Sequence, residues 1–396
     1  MIKTRQEKGF SLAQKLILIL LFFASFNLMA KHFYFIFMAF AVSILFFKKN
    51  IVNGTMMVLL LFSISYIMFY DFFEPGVMGI LRRLGFPMSY MIGYNFILRE
   101  PADVQDPDKV ERSLVTPMAV IAGGTLLHFA LNFFINRNND VRNGEDFWTG
   151  EMMSATAHAL VALFGLGVCV ALLFSSYKWI VKLLAAGGIS LIFLYNLVLA
   201  GRTILFMLAG LLLVGCFYKM KSGGFEKKFR VFFVIFLVVI LLIIAFQNNW
   251  FNLKDIILES NFSDRFDEMS FDEDNRWERR QAYLQRLGDH LWGGNVLHDQ
   301  VGGYAHDIVL DVYSEAGIVP CIFLVIFLGL CIFQSIRLVF KSKVGYNVKL
   351  MVLCLNIAVT ISFFLEPILQ STLWFFSLYC FVQGMIAKGN CYVERR

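Results

Sequence analysis

One polar stretch, roughly residues 248–304, interrupts a chain otherwise built from long apolar runs. It contains Asn275-Arg276-Trp277-Glu278-Arg279-Arg280, followed by Arg286. On a helix these four arginines fall within about a third of the circumference, at about 3.6 residues per turn. Guanidinium groups are always charged, and their planar fork suits bidentate contacts to phosphate. An arginine face of this kind above a membrane is a reasonable diphosphate clamp. The plainer alternative is a solvated helix face paired with the acidic half of the stretch, Asp255, Glu259, Asp264, Asp267, Glu268, Asp272, Glu273 and Asp274. The stretch ends at His306-Asp307-Ile308-Val309-Leu310, followed by Glu315 and Gly317. Histidine is the side chain that takes or gives a proton near neutral pH, so His306 is a candidate base, set against an interfacial histidine with no role. Asp307, Asp311 and Glu315 recur every four residues and form an acidic stripe on one helix face. Arg202 follows Ala200-Gly201 and precedes Thr203 at the end of another apolar run. A charge there either snorkels or faces a polar cavity. His290 and His298 are weaker candidates; His128, with Asn132, and His158 read as packing or inter-helix hydrogen bonds.

These residues need a scaffold, and the rest of the chain describes one. Its 396 residues are 58% hydrophobic and 16% charged. Mean hydropathy is +0.67. Soluble chains carry nearer a quarter charged residues. Apolar runs long enough to cross a bilayer recur throughout. The expected fold is all-α: a polytopic membrane bundle of about twelve transmembrane helices, forming one integral membrane domain over 1–396, with one large extracytoplasmic loop at 248–304. The expected spans are 16–30, 33–47, 55–70, 76–98, 114–135, 152–174, 178–197, 201–218, 230–247, 304–339, 349–366 and 370–387. The fourth carries Arg82, Arg83 and Pro87 and is the weakest. Counting it puts the basic clusters on one side, which the positive-inside rule makes cytoplasmic together with both termini. The long loop, the Lys31-His32 turn, residues 136–150 and the 200–202 junction then face outside. Glu366, before Pro367, reads as the cap of an outer turn.

The same features narrow the function. The net charge of +6 sits mostly in short segments between spans, so it orients the protein and implies no nucleic acid. Seven cysteines lie in spans or near the C-terminus, and no CxxC pattern exists. Neither a disulfide framework nor a metal site is expected. The basic N-terminus before an apolar run lacks a convincing cleavage site and reads as a retained first span. No internal repeat or Gly-rich phosphate loop is present. An integral membrane enzyme acting on an anionic, lipid-linked substrate fits this residue set.

The layout resembles the O-antigen ligase and polymerase superfamily, including Wzy-type polysaccharide polymerases. The resemblance rests on Gly201-Arg202-Thr203 opening a mid-chain span, on Arg276-Trp277 with Arg279 and Arg280, and on His306-Asp307-Ile308-Val309-Leu310 with Glu315-Ala316-Gly317. The family more often has Asn where Asp307 stands. The resemblance implies inverting, metal-independent and cofactor-free transfer of a glycan from an undecaprenyl-diphosphate donor to an acceptor hydroxyl, on the outer face of the bacterial inner membrane. It makes His306, Arg202 and Arg280 the catalytic candidates, Arg276 and Arg279 the diphosphate ligands, and Asp307 and Glu315 supporting residues. A chain-length regulator protein is a candidate partner, beside membrane lipids and the lipid-linked glycan. A ligase that moves finished glycan to a lipid or protein acceptor has the same residues. A metal-dependent prenyl-sugar transferase needs acids in its first external loop, which is too short here. A peptidoglycan polymerase of the elongation and division type would use a loop carboxylate. A lipid-linked oligosaccharide flippase would line a central cavity with cations across many spans.

Overall fold

A computed structural model describes residues 10–47, 52–71, 76–97, 107–137, 143–199, 202–221, 247–248 and 275–394. Among the described residues eight α-helices precede the polar stretch: α1 (Leu12–Ser25), α2 (His32–Phe46), α3 (Gly54–Tyr66), α4 (Gly76–Phe96), α5 (Pro107–Asn136), α6 (Ala155–Phe174), α7 (Trp179–Val198) and α8 (Arg202–Lys221). A two-stranded antiparallel hairpin, β1 (Asn143–Glu145) and β2 (Met152–Ser154), joins α5 to α6. After the polar stretch come α9 (Asn275–Arg286), α10 (Val296–Val301), α11 (Ile308–Ala316), α12 (Ile318–Lys341), α13 (Tyr346–Ser362), α14 (Ile368–Ser371) and α15 (Leu373–Glu394). The described chain is therefore an all-α bundle with almost no sheet. Six of its helices are long and apolar enough to cross a membrane, and α1, α2 and α13 are shorter apolar helices. The expected span at 230–247, apart from its last residue, and the acidic half of the polar stretch lie outside the described residues.

The helices start where local chemistry directs. Ser11 and Gln14 form a reciprocal capping box at α1. Asn53, Ser154 and Asp307 cap α3, α6 and α11 through side-chain oxygens. Helix formation satisfies every interior peptide group, as a lipid environment demands. Outward faces carry large apolar side chains such as Leu45, Trp179, Leu184 and Leu213, each more than 70% exposed. Such a surface suits hydrocarbon and not water.

The weakest expected span turns out to be central. Helix α4 runs unbroken through Pro87, and its second half is almost entirely buried against α15. The two backbones nearly touch: a Cβ at Gly93 would stand 2.0 Å from the Phe381 carbonyl oxygen, and one at Gly384 equally close to that of Tyr90. Close approach at small residues holds helices together where no hydrophobic drive exists in lipid.

The expected single span at 304–339 is instead two helices. Gly317, at φ 83°, separates α11 from α12. The break leaves backbone groups that the polar stretch takes: Gly294 N–H donates to Glu315 O at 2.8 Å, Asn295 N–H to Ser314 O at 2.9 Å, and Ile318 N–H to Leu291 O at 2.9 Å. A Cβ at Gly293 would meet the Glu315 oxygen at 2.5 Å, so glycine is required there. Between α9 and α11, Tyr283, Leu297, Ala305 and Tyr313 form a small core of their own. The described end of the polar stretch is thus a helical cap stitched to one end of the bundle.

Candidate functional site

The site forms where that cap meets the turn after α13. Helix α13 ends at Ser362, and residues 363–367 turn toward α14, with carbonyls directed at the cap. Phe363 O accepts from Ile308 N–H at 2.8 Å. Arg276 donates through Nη1 to Leu365 O at 3.1 Å. Arg280 donates to Phe364 O, to His306 O at 2.8 Å and to Ala305 O at 3.2 Å. Cations at the C-terminal end of a helix are favoured by its dipole as well as by these hydrogen bonds.

His306 adopts a left-handed backbone, φ 55°. This conformation costs a non-glycine residue about 1 kcal/mol or more. The chain around it is clamped from two sides. Arg280 holds the carbonyls of Ala305 and His306, while the buried Asp311 carboxylate accepts from Ala305 N–H at 2.7 Å and Asp307 N–H at 3.1 Å. Burial pushes the Asp311 carboxyl up to about 7, against the pull of those two N–H groups. Asp307 accepts from Val309 and Leu310 N–H and caps α11.

The imidazole faces Glu366. His306 Nδ1 is buried, has no hydrogen-bond partner within normal range, and lies 3.7 Å from Glu366 Oε2. The other carboxylate oxygen lies 3.4 Å from Arg276 Nη2. Glu366 is only 5% exposed. It also borders a narrow cleft with Thr156 and Leu160 of α6, Thr203 and Met207 of α8, and Ser362. Thr203 near the start of α8, Arg276 of α9 and His306 all adjoin Glu366, and Arg202 is the first residue of α8. Gly201 lies outside the described residues.

The four arginines on α9 divide their tasks. Arg276 and Arg280 are engaged by the 363–366 turn, and Arg286 donates to Gln300 at 3.2 Å. Arg279 is half-buried and donates to no acceptor among the described residues. Gly303 makes room for it, since a Cβ there would stand 3.1 Å from Arg279 Nη1. Arg279 is thus the arginine with donors open to a ligand.

Glu315 is not beside His306. It sits in a separate buried network beneath the cap, accepting from the Tyr66 hydroxyl and from Gln370 Nε2 at 2.9 Å. Arg83 of α4 completes that network. Its Nε is 3.0 Å from Asp71, its Nη1 donates to Leu369 O, and its guanidinium lies 3.8 Å over the Tyr66 ring. Asp71 closes a π-helical turn, Ile67–Asp71, that extends α3. From this turn Phe69 stacks on Trp292, and Tyr70 accepts from Asn295. The network therefore anchors the cap to the bundle.

His128, Asn132 and His158 form a further buried cluster. His128 Nε2 lies 2.8 Å from Asp146 in the β-hairpin turn. His158 Nδ1 lies 3.3 Å from Asn132 and 3.4 Å from the Tyr195 hydroxyl. These contacts join α5, α6, α7 and the hairpin, the packing role expected of them. Among the described residues no group of three or more His, Cys, Asp or Glu side chains is arranged to hold a metal ion.

No protein-family model matches the chain, and no curated protein matches it at a significant level.

Sequence reasoning assigned Glu366 to an outer turn and passed over its contacts with Arg276 and His306. An available signal was a carboxylate directly before proline, inside an otherwise apolar stretch. Arg83 was likewise legible only as a liability in a weak span.

Proposed function

We propose that the protein is an integral membrane glycosyltransferase of bacterial surface-polysaccharide assembly, a Wzy-type polymerase. It joins undecaprenyl-diphosphate-linked oligosaccharide repeats on the outer face of the cytoplasmic membrane. In this reading the chain crosses the membrane twelve times, with both termini inside and the cap outside. The observation that carries the proposal is the convergence on Glu366 of three sequence-distant segments: the first turn of α8 through Thr203, the arginine helix α9 through Arg276, and His306. These are the three elements on which the family resemblance rests.

The chemistry follows from the groups available. The acceptor hydroxyl oxygen attacks the anomeric carbon of the donor glycan, and the bond to the lipid diphosphate breaks with its electron pair on the leaving oxygen. His306 takes the hydroxyl proton. Arg279 and Arg276 stabilise the charge that develops on the diphosphate, which preorganised donors at a partly dry interface do well. Arg202, at the N-terminal end of α8, adds a cation to an end already electropositive. Arg280 acts through the backbone, by fixing His306.

The test uses purified protein in liposomes supplied with undecaprenyl-diphosphate-linked oligosaccharides. A ladder of repeat-spaced products is expected, lost in folded His306→Ala and Arg279→Ala proteins. Glycan moved instead to an added lipid-core or protein acceptor would mean a ligase. Passage of substrate across the bilayer with no transfer to any acceptor would make the protein a flippase and defeat the enzyme reading.

A further inference from the structure

We propose that Glu366 is the positioning residue for His306, and that Arg276 shares this carboxylate until an anionic ligand draws Arg276 away. The second half rests on the diphosphate reading above; the first does not.

The charged side chains described around His306 are Arg276 and Arg280 on α9, Asp307 and Asp311 beside and on α11, and Glu366 in the 363–367 turn. Asp307 is engaged by the N–H groups of Val309 and Leu310, and Asp311 by those of Ala305 and Asp307. Arg280 is engaged by carbonyls. Among these groups Glu366 is the carboxylate left to meet the buried Nδ1. A ring whose Nδ1–H points at a carboxylate presents Nε2 as the basic nitrogen. His306 Nε2 makes no hydrogen bond to the described residues, so it is the nitrogen available to an acceptor hydroxyl.

The two distances add the second point. Charge-assisted N–H···O bonds settle near 2.7–2.9 Å, on the order of half an ångström shorter than either contact here. Glu366 lies 3.4 Å from Arg276 and 3.7 Å from His306, so it is held between them at the optimum of neither. Removing one partner lets the carboxylate close on the other. A diphosphate that takes the Arg276 fork therefore tightens the Glu366–His306 pair, so that ligand binding itself readies the base.

The experiment reads the His306 ring directly, in the full-length protein labelled with [15N]histidine. Imidazole 15N shifts report which nitrogen carries the proton, and the five other histidines serve as a fold control. Loss of one signal set in His306→Gln assigns the residue. The expected result is an Nδ1–H ring, lost in Glu366→Ala but kept in Glu366→Gln, which retains an acceptor oxygen. Arg276→Gln moves the Nδ1 proton downfield as the pair shortens. Inorganic pyrophosphate does the same to the unaltered protein and adds nothing in Arg276→Gln. An Nε2–H ring in the unaltered protein, or one indifferent to Glu366→Ala, overturns the positioning role. No change in Arg276→Gln overturns the sharing. Tightening in Arg276→Gln but none with pyrophosphate leaves the positioning standing and counts against the diphosphate reading alone.

Discussion

Replacing Arg280 by lysine tests whether the backbone of the candidate base is held by a guanidinium fork. Arg280 reaches three carbonyls, those of Ala305, His306 and Phe364, through two nitrogens. A hydrogen bond from a charged donor contributes about 1.5–3 kcal/mol when well buried. Arg280 is only half-buried, so roughly 1 kcal/mol per bond is the appropriate scale. Lysine keeps the charge but lacks the fork, and retains about one bond of the set. The loss is then about 2 kcal/mol, or roughly a thirtyfold rise in local opening. Alanine loses about 3 kcal/mol, or roughly 150-fold. The cost falls on docking of the cap, because α9 contributes little to the main bundle core. Hydrogen exchange over 303–311 is the assay, reading the amides of Ala305, Asp307 and Ile308, whose acceptors are Asp311 and Phe363. Exchange there should quicken in the order alanine, lysine, unaltered protein, with α4 and α15 unchanged. Equal protection in all three proteins would refute the clamp.

Three further outcomes follow from the same geometry. Asp311 is held near 7 by burial, so its contribution to folding is complete below its ordinary value of 3.8 and is lost as pH rises through about 7. Protection of 303–311, corrected for intrinsic exchange, should fall across that range and stay flat in Asp311→Asn. Asp146 is the opposite case: burial pushes its carboxyl up, but the hydrogen bond and charge of His128 and the N–H groups of Thr149 and Trp148 outweigh it and hold the carboxyl at about 2. Its contribution is present above 3.8 and lost as pH falls toward 2, so exchange over 143–154 should quicken on acidification, and already at neutral pH in Asp146→Asn. Gly93→Ala drives a Cβ against the Phe381 carbonyl and should cost about 3 kcal/mol, at the upper end for overpacking, since backbone has to move. Gly123→Ala, where nothing lies within 4 Å, is the matched control, and thermal unfolding in detergent compares the two.

The helical bundle was largely legible because apolar runs are local signals. The eight described helices before the polar stretch overlap expected spans, as do α13 and α15 after it, whereas the expected span at 304–339 is two helices. The arginine segment is a helix, so its four arginines share one face. What the sequence hid is non-local. Four arginines on one helix look equivalent in a periodic pattern, yet Arg276 and Arg280 face carbonyls more than eighty residues away while Arg279 does not. Asp307, Asp311 and Glu315 look like one stripe, yet they cap a helix, brace the His306 backbone and join the Arg83 network in turn. Gly317 was noticed as part of a motif rather than as a break, although Pro320 just beyond it favours a new helix start. The central place of α4 was obscured by its charges: Arg83 lowers its apolarity, but buried partners meet that charge.

The carbonyls of residues 363–365 have a consequence for the order of assembly. During synthesis α9 and His306 leave the ribosome well before the turn that receives them, since Arg276 and Leu365 are 89 residues apart. Until that turn emerges and α11 docks beside it, Arg276 has no Leu365 carbonyl to grip, Arg280 holds only the carbonyls of Ala305 and His306, and the left-handed His306 segment has no brace from Phe363 or Phe364. Early helices pack on one another first, and the chemistry-bearing end closes only when the chain is nearly complete. A nascent chain stalled before α13 would carry every candidate residue on His306's side of the sequence and still have no site.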